Sequence, residues 1–385
     1  MFDYIHWRGD LGFDIVPFNP ADGVVFSQLS YLPMDGIVAD PGVSGSVSVA
    51  ELSGLYREKP GRKGRAGERD VMVSGAVSVL KAVAAAPRYA GCRLFGYVNN
   101  TDTDEEKQFS AFCALIGEKP GSARLLVVFR GTDSSLVGWK EDLNMGFVGS
   151  VPAQRQAVRH LEFAASLHPL PIVVTGHSKG GNLAIYSAAF CNSGVQNRVE
   201  AVFANDAPGF HPETVGGSGY AAIRPRIRHF VPQSSFVGML FEHGVAPSVV
   251  KSSGVGFAQH NLLSWEVSRD GLADGGELTE QSRLVNGIIR EWIGKIGEGR
   301  RRQFVQALYG IVAAANVGSL LDLGADWPQS AAGIIGGIRN IDGPTKKMMA
   351  EIVGELFRTA KRSITGRKVR SEVSKALWDT DLMNG

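Results

Sequence analysis

One serine in this chain has the surroundings that turn a weak hydroxyl into a nucleophile. The run PIVVTG leads straight into Gly176-His177-Ser178-Lys179-Gly180-Gly181 and then into NLAIYSAAF. It is the only G-x-S-x-G in the sequence, and it falls between a strand-like and a helix-like stretch. A serine on a sharp strand-to-helix turn has a strained backbone, and the flanking glycines are needed because side chains there would strike neighbouring backbone. The turn lifts the hydroxyl of Ser178 above a sheet edge. It also puts the amide of Lys179 at a helix N-terminus, where it can hold an oxyanion. A glycine-rich turn in a chain with 48 glycines is the plain alternative.

Such a serine needs a base and an acid, in the order Ser, Asp or Glu, His. His211, His229, His243 and His260 follow the elbow. His229 falls inside the predicted strand RIRHFV and reads as structural, and His211 follows the ANDAPGF turn too closely. His243 lies in GMLFEHG, which reads as a loop helix. His260 lies in GVGFAQHNLLSW, a glycine-rich loop leading into an apolar strand, and is preferred over His243 as a base reaching back to the serine. For the acid, Asp206 follows the strand VEAVFA and so lies at the carboxyl edge of the sheet. A turn-capping aspartate is its plainer role. The strand RIRHFV ends in PQSSF with no carboxylate, leaving Glu242 and Asp274 as outsiders. A second oxyanion donor is expected at Thr132, after RLLVVF and Arg130-Gly131. Trp139 and Asp142 follow, with Asp142 read as a structural partner of Arg130. The ammonium of Lys179 adds positive charge near the nucleophile, a weak pointer to anionic substrates.

The elements around these residues alternate. Residues 93–99 and 108–116 read as neighbouring strands, and 124–129 as a strand buried on both faces. A helix at 153–167, a strand at 172–175, a small-residue helix at 179–191 and strands at 199–204 and 226–231 follow. That alternation predicts an α/β fold with a mostly parallel sheet. Residues 1–40 read as a non-repetitive N-terminal segment, and 42–69, ending in EKPGRKGRAGERD, as an exposed basic loop. From about 276 the pattern is helical: Leu284, Ile288, Trp292 and Ile296 share a stripe, and further helices are expected at 303–321 and 344–364. The predicted organisation is a domain over 1–275 and a helical C-terminal extension over 276–385.

Composition excludes several classes. Lys+Arg 40 against Asp+Glu 38, with 44% hydrophobic residues, gives no support to nucleic-acid binding or to a disordered acidic chain. Cys92, Cys113 and Cys191 are far apart, with neither a metal-ligand spacing nor a disulfide framework. No metal or organic cofactor is implied. The N-terminus lacks the apolar core of a signal peptide, and 303–321, with Gln303, Gln306, Asn316 and Ser319, reads as a buried helix rather than a membrane span. A cytoplasmic protein is expected. The tail's basic residues (Arg358, Lys361, Arg362, Arg367, Lys368, Arg370) read as a solvated helix face, with peripheral contact to an anionic membrane as the alternative.

FRGTDSSLVGWKEDLNM together with VTGHSKGGNLA resembles the class 3 lipases, the fungal triacylglycerol lipase group. More closely, the chain resembles a bacterial family of lipase-like α/β hydrolases. The shared features are the opening DYIHWRGDLGFDIVPFNPADGVVFSQLSYL, then GHSKGGNLA, a D-x-PGF turn and a QHxxxSW segment, spread over roughly residues 1 to 270. The resemblance implies an α/β-hydrolase fold and a serine hydrolase with Ser178 as nucleophile, His260 as base and Thr132 at the oxyanion hole. Class 3 lipases carry their acid in a D-x-VP segment where this chain has VPQSSF, so either Asp206 takes that role or the triad is incomplete. The leading expectation is a carboxylic ester hydrolase of lipase or esterase type, acting on lipid or other acyl esters, aliphatic polyesters included. A thioesterase or acyltransferase with the same triad is the near alternative. A non-catalytic scaffold docking on a membrane or a partner is the rival from another class.

Overall fold

The computed structural model describes residues 1–58, 71–132, 141, 144–145, 149–297, 299–300, 303, 307, 342–352, 354–355 and 358–359. The chain divides into two compact units, one of Met1–Thr279 and one from Glu280 on.

The first unit is built on an eight-stranded sheet whose strands lie side by side in chain order. They are β1 (Val47–Ser48), β2 (Arg93–Asp102), β3 (Lys107–Ile116), β4 (Arg124–Phe129), β5 (Ile172–His177), β6 (Val199–Asn205), β7 (Ile227–Pro232) and β8 (Ser248–Val250). β1 to β4 pair antiparallel, and β4 to β8 are parallel to one another. This is an α/β architecture with a mostly parallel sheet. Each parallel step is a crossover, so the carboxyl ends of β4 to β8 open on one edge, where α/β proteins build their sites.

Alternation along the strands divides the core between the two faces. Leu126 and Val128 of β4 join a cluster with the helices α1 (Phe2–Arg8), α2 (Pro20–Leu29), α3 (Val49–Glu58), α4 (Val71–Ala84) and α5 (Pro87–Ala90). Leu125, Val127 and Phe129 join the opposite cluster with α6 (Pro152–Leu167) and α7 (Lys179–Phe190). β4 is buried on both faces, which is why RLLVVF is apolar without a break.

Two N-terminal expectations are corrected. Residues 1–40 hold α1 and α2 rather than a non-repetitive segment. α2 starts at an Asn19 cap, with Asn19 Oδ1 accepting from the amide of Ala21 and Asp22 Oδ2 from that of Asn19. Nine of its ten residues are buried, so no polar stripe marks it as a helix. In the expected exposed loop, β1 and α3 occupy 47–58, because Val49 and Leu52 bury completely against the sheet. The basic run over 59–70 lies outside the described residues.

Asp22 and Arg88 form an ion pair of 2.6 Å between fully buried side chains. Every guanidinium N–H has an acceptor: both Asp22 oxygens and the carbonyls of Leu11, Val16 and Pro17. Tyr89 donates to Asp22 Oδ1 at 2.7 Å, and the guanidinium lies 4.0 Å over the Phe13 ring. The pair ties the N-terminal segment to α5, the short helix before β2.

In the second unit the helix Glu280–Lys295 carries the expected stripe, with Ile288 buried. Trp292 donates to the carbonyl of Ile352. Among the described residues no helix is long and apolar enough to cross a membrane. Apart from Gln303 and Ala307, the stretch 303–321 lies outside the described residues, as do the basic residues from 361 on. Arg358 is described and pairs with Glu355 at 2.8 Å.

Candidate active site

β5 ends at His177 and α7 begins at Lys179, leaving Ser178 alone as the turn. Its backbone sits at φ 55°, ψ −129°, a conformation that costs a non-glycine residue of order 1–3 kcal/mol. The surroundings hold it there. The amide of Ser178 donates to the carbonyl of Asn205 in β6, and its carbonyl accepts from the amides of Gly181 and Asn182. A Cβ on Gly176 would strike the backbone of Gly180, and one on Gly180 would strike the carbonyl of Phe129. Both glycines of the pentapeptide are therefore demanded by contact, and α7 sits close enough to the strands to aim its N-terminus at the sheet edge.

Asp206 directly follows β6, in the left-handed region at φ 47°. Its amide donates to the carbonyl of Phe230 in β7 at 2.7 Å. The side chain is 1% exposed. Oδ1 accepts from the Ser235 hydroxyl at 2.6 Å and the Gly238 amide at 3.1 Å. Oδ2 lies 2.6 Å from His260 Nδ1. The stretch directly after β7, residues 233–238, contains no carboxylate, and it supplies a hydroxyl and an amide that hold one oxygen while the other faces the imidazole.

His260 closes a 3-10 turn, Gly256–His260, and a second, Leu262–Ser264, follows where a strand was expected. The loop is fixed on both sides of the histidine. Gln259 accepts from the amide of Ser234 and donates to the carbonyl of Gly254, and Trp265, 1% exposed, donates to the carbonyl of Gln259. His260 itself is partly exposed at 19%. Its ring lies 4.4 Å from that of His177, and its carbonyl is 2.8 Å from His177 Nε2. The elbow and the histidine loop thus meet through the residue preceding Ser178.

The other candidates lie apart from this cluster. His243, outside the expected helix, stacks on the buried His229 of β7 at 4.4 Å and approaches the carbonyl of Leu240. His211 precedes a short helix, with its nearest charged neighbour, Glu213, at 3.8 Å. Glu242 exchanges backbone hydrogen bonds with Phe210, and Asp274 Oδ1 accepts from the amide of Gly276.

Gly131, after β4, packs against the elbow; a Cβ there would stand 2.7 Å from the carbonyl of His177 and 3.3 Å from Ser178 Cβ. Thr132 comes next in the chain, so its amide leaves from the strand end that touches the nucleophile turn. Trp139 and Asp142 lie outside the described residues.

The expectation for Lys179 is corrected. Its side chain is fully buried, and Nζ donates to Glu141 Oε2 at 2.6 Å and to Gln108 Oε1 at 3.2 Å. Glu141 also accepts from the amides of Gln108 and Ala153. The ammonium is sealed in an ion pair inside the core. What remains at the elbow is the Lys179 backbone amide, in the first turn of α7, whose N–H groups point out along the axis.

Sequence reading missed four participants: Tyr31, His177, Ser235 and Gly238. His177 was visible inside the pentapeptide, but nothing in the sequence ties Tyr31 to it from 146 positions away. Among the described residues there is no group of three or more His, Cys, Asp or Glu side chains able to hold a metal ion.

A model of the Mbeg1-like family matches residues 83–310, a span that includes the elbow, Asp206 and His260. No curated protein and no solved structure matches the chain.

Proposed function

The chain belongs to the Mbeg1-like family, and from that premise we propose that it is a serine carboxylic ester hydrolase of lipase or esterase type on an α/β-hydrolase fold, distantly akin to the class 3 lipases. The observation that carries the reading is one arrangement. A serine strained at φ 55° follows His177 on a strand-to-helix elbow, the ring of His177 lies 4.4 Å from that of His260, and a buried aspartate meets His260 Nδ1 at 2.6 Å.

Each group has a chemical task. A carboxylate oxygen only accepts, so Asp206 fixes the proton of His260 on Nδ1 and leaves Nε2 to act as base. His260 removes the proton of Ser178 Oγ as the oxygen attacks an ester carbonyl. Asp206 then faces the imidazolium that forms. The amides of Lys179 and Thr132 hold the oxyanion, and His260 returns the proton to the leaving alcohol. Water, activated by the same imidazole, releases the acyl group and restores Ser178. The hydrolase domain of this reading is residues 1–275, with 276–385 as a helical extension and the cytoplasm as its place of action. The VPQSSF segment, whose missing acid favours a scaffold in the sequence, carries no weight against catalysis here, because its Ser235 supports Asp206 instead.

The test is hydrolysis of p-nitrophenyl esters from acetate to palmitate, with fluorophosphonate labelling followed by peptide mapping. Hydrolysis and labelling at Ser178, both lost in Ser178→Ala, are expected. Activity that survives Ser178→Ala, or a wild type that neither hydrolyses nor labels, would overturn the reading.

A further inference from the structure

His177 occupies the variable position of the pentapeptide, yet its ring is 1% exposed and both nitrogens are engaged. Nε2 lies 2.8 Å from the carbonyl of His260, and Nδ1 lies 2.7 Å from Tyr31 Oη. A carbonyl can only accept, so Nε2 carries a proton. Burial, and His260 alongside, hold the pKa of His177 well below the usual 6.5, so the ring is neutral and Nδ1 accepts from the Tyr31 hydroxyl. The tautomer is therefore defined from both sides, by the carbonyl of His260 at Nε2 and by Tyr31, two residues past the end of α2, at Nδ1. That tyrosine reaches the oxyanion side as well: a Cβ on Gly131 would collide with Tyr31 Oη. Tyr31, Gly131, His177 and His260 come from four separate segments and touch in one chain of contacts.

We propose that Tyr31 and His177 are positioning residues for the base. Tyr31 supports the Nε2–H tautomer of His177 by donating to Nδ1, and His177 holds His260 in its catalytic orientation through the carbonyl hydrogen bond and the tilted ring contact. The inference rests on the reading of His260 as the base. The neighbouring ring must be uncharged, because His260 gains a positive charge on taking the serine proton. A second imidazolium at 4.4 Å would oppose that step. With Nε2–H directed at the carbonyl and Nδ1 at Tyr31, the neutral ring brings no charge to the 4.4 Å contact with His260. A histidine serving the core alone would need neither the carbonyl of a functional loop nor a dedicated hydroxyl to set its tautomer.

The experiment uses the full chain and two readouts. One is the rate of fluorophosphonate labelling at Ser178. The other is the far-downfield proton resonance of His260 Nδ1–H, assigned by its absence in His260→Ala. His177→Leu should slow labelling roughly 10²-fold, the cost of a misplaced catalytic group, and abolish the resonance. His177→Gln, which retains an N–H for the carbonyl, should recover at least about tenfold of that rate, and Tyr31→Phe should slow labelling about tenfold. Labelling within twofold of wild type and an unchanged resonance in His177→Leu would overturn the proposal. If His177→Leu does not fold, Tyr31→Phe decides by the same criteria, since it removes a single oxygen. A wild type that resists labelling would count against the hydrolase reading. The resonance then decides alone, and its persistence in both variants overturns the positioning role.

Discussion

Asp206 and His260, 54 positions apart, meet at 2.6 Å across the carboxyl edge of the sheet, with the aspartate in a left-handed conformation. Asp206→Asn is the informative variant, because asparagine tolerates that backbone while alanine would be strained. Its amide N–H₂ would face Nδ1 and force the imidazole proton to Nε2, disarming the base. The expected loss in kcat is on the order of 10⁴-fold with KM little changed, measured on the best p-nitrophenyl ester. A loss below tenfold would remove Asp206 from the machinery.

The elbow glycines make a stability prediction. Gly180→Ala places a methyl group against the carbonyl of Phe129 and should destabilise the fold by about 1–3 kcal/mol or more. Gly54→Ala, in α3 with open space around the new methyl, should be neutral or gain up to about 1 kcal/mol. Urea denaturation of both variants checks the contrast. Equal midpoints would mean that contact is not what demands glycine at 180.

Lys179 and Glu141 form a pair with side chains 0% and 1% exposed. Lys179→Met strands the carboxylate in the core and should cost about 3–5 kcal/mol. Lys179→Met with Glu141→Gln should recover most of that loss. If the double variant folds, its relative rates on anionic and neutral esters should equal those of wild type, since the ammonium never faces substrate. A changed preference would contradict the sealed geometry.

Stability should peak near neutral pH and fall on both sides. Burial lowers His160 to about 4 and holds His177 and His229 well below 6.5. Below pH 6.5 the unfolded chain takes up protons that the folded chain refuses, so stability falls as pH drops. His160 alone is worth roughly 3 kcal/mol across that window. On the alkaline side, burial raises Cys92 and Cys191 to about 12, and Tyr97 and Tyr220 likewise. Above about pH 9 the unfolded chain releases protons that the folded chain keeps, and stability falls again. Melting temperature measured from pH 4.5 to 10.5 should trace a dome, and a flat profile would refute it.

The strands that carry the site are legible because each is mostly buried and so rich in apolar residues: the predicted 124–129 is β4 to the residue, and β5 to β7 differ by one or two residues at their ends. Ser178, Asp206 and His260 stand next to those strands or in a loop of distinctive composition, so their types and order single them out. α2 escapes notice because burial on every side erases the helical period. The chain of contacts from Tyr31 to His177 escapes because packing creates it between segments with no local signal. The missing acid after β7 misleads for a different reason, since a serine there can support a carboxylate borne by the neighbouring strand.

The saturated guanidinium of Arg88 bears on what counts as the smallest autonomous version of this molecule. The span shared with the family begins at residue 83, but all five acceptors of Arg88 come from residues 11 to 22, and Tyr31 lies upstream as well. A fragment cut at the family boundary would keep Ser178, Asp206 and His260. It would also leave a buried cation with five stranded donors and lose the helices α1 to α3 with nearly all of α4. The heritable signature and the foldable unit therefore have different left-hand borders.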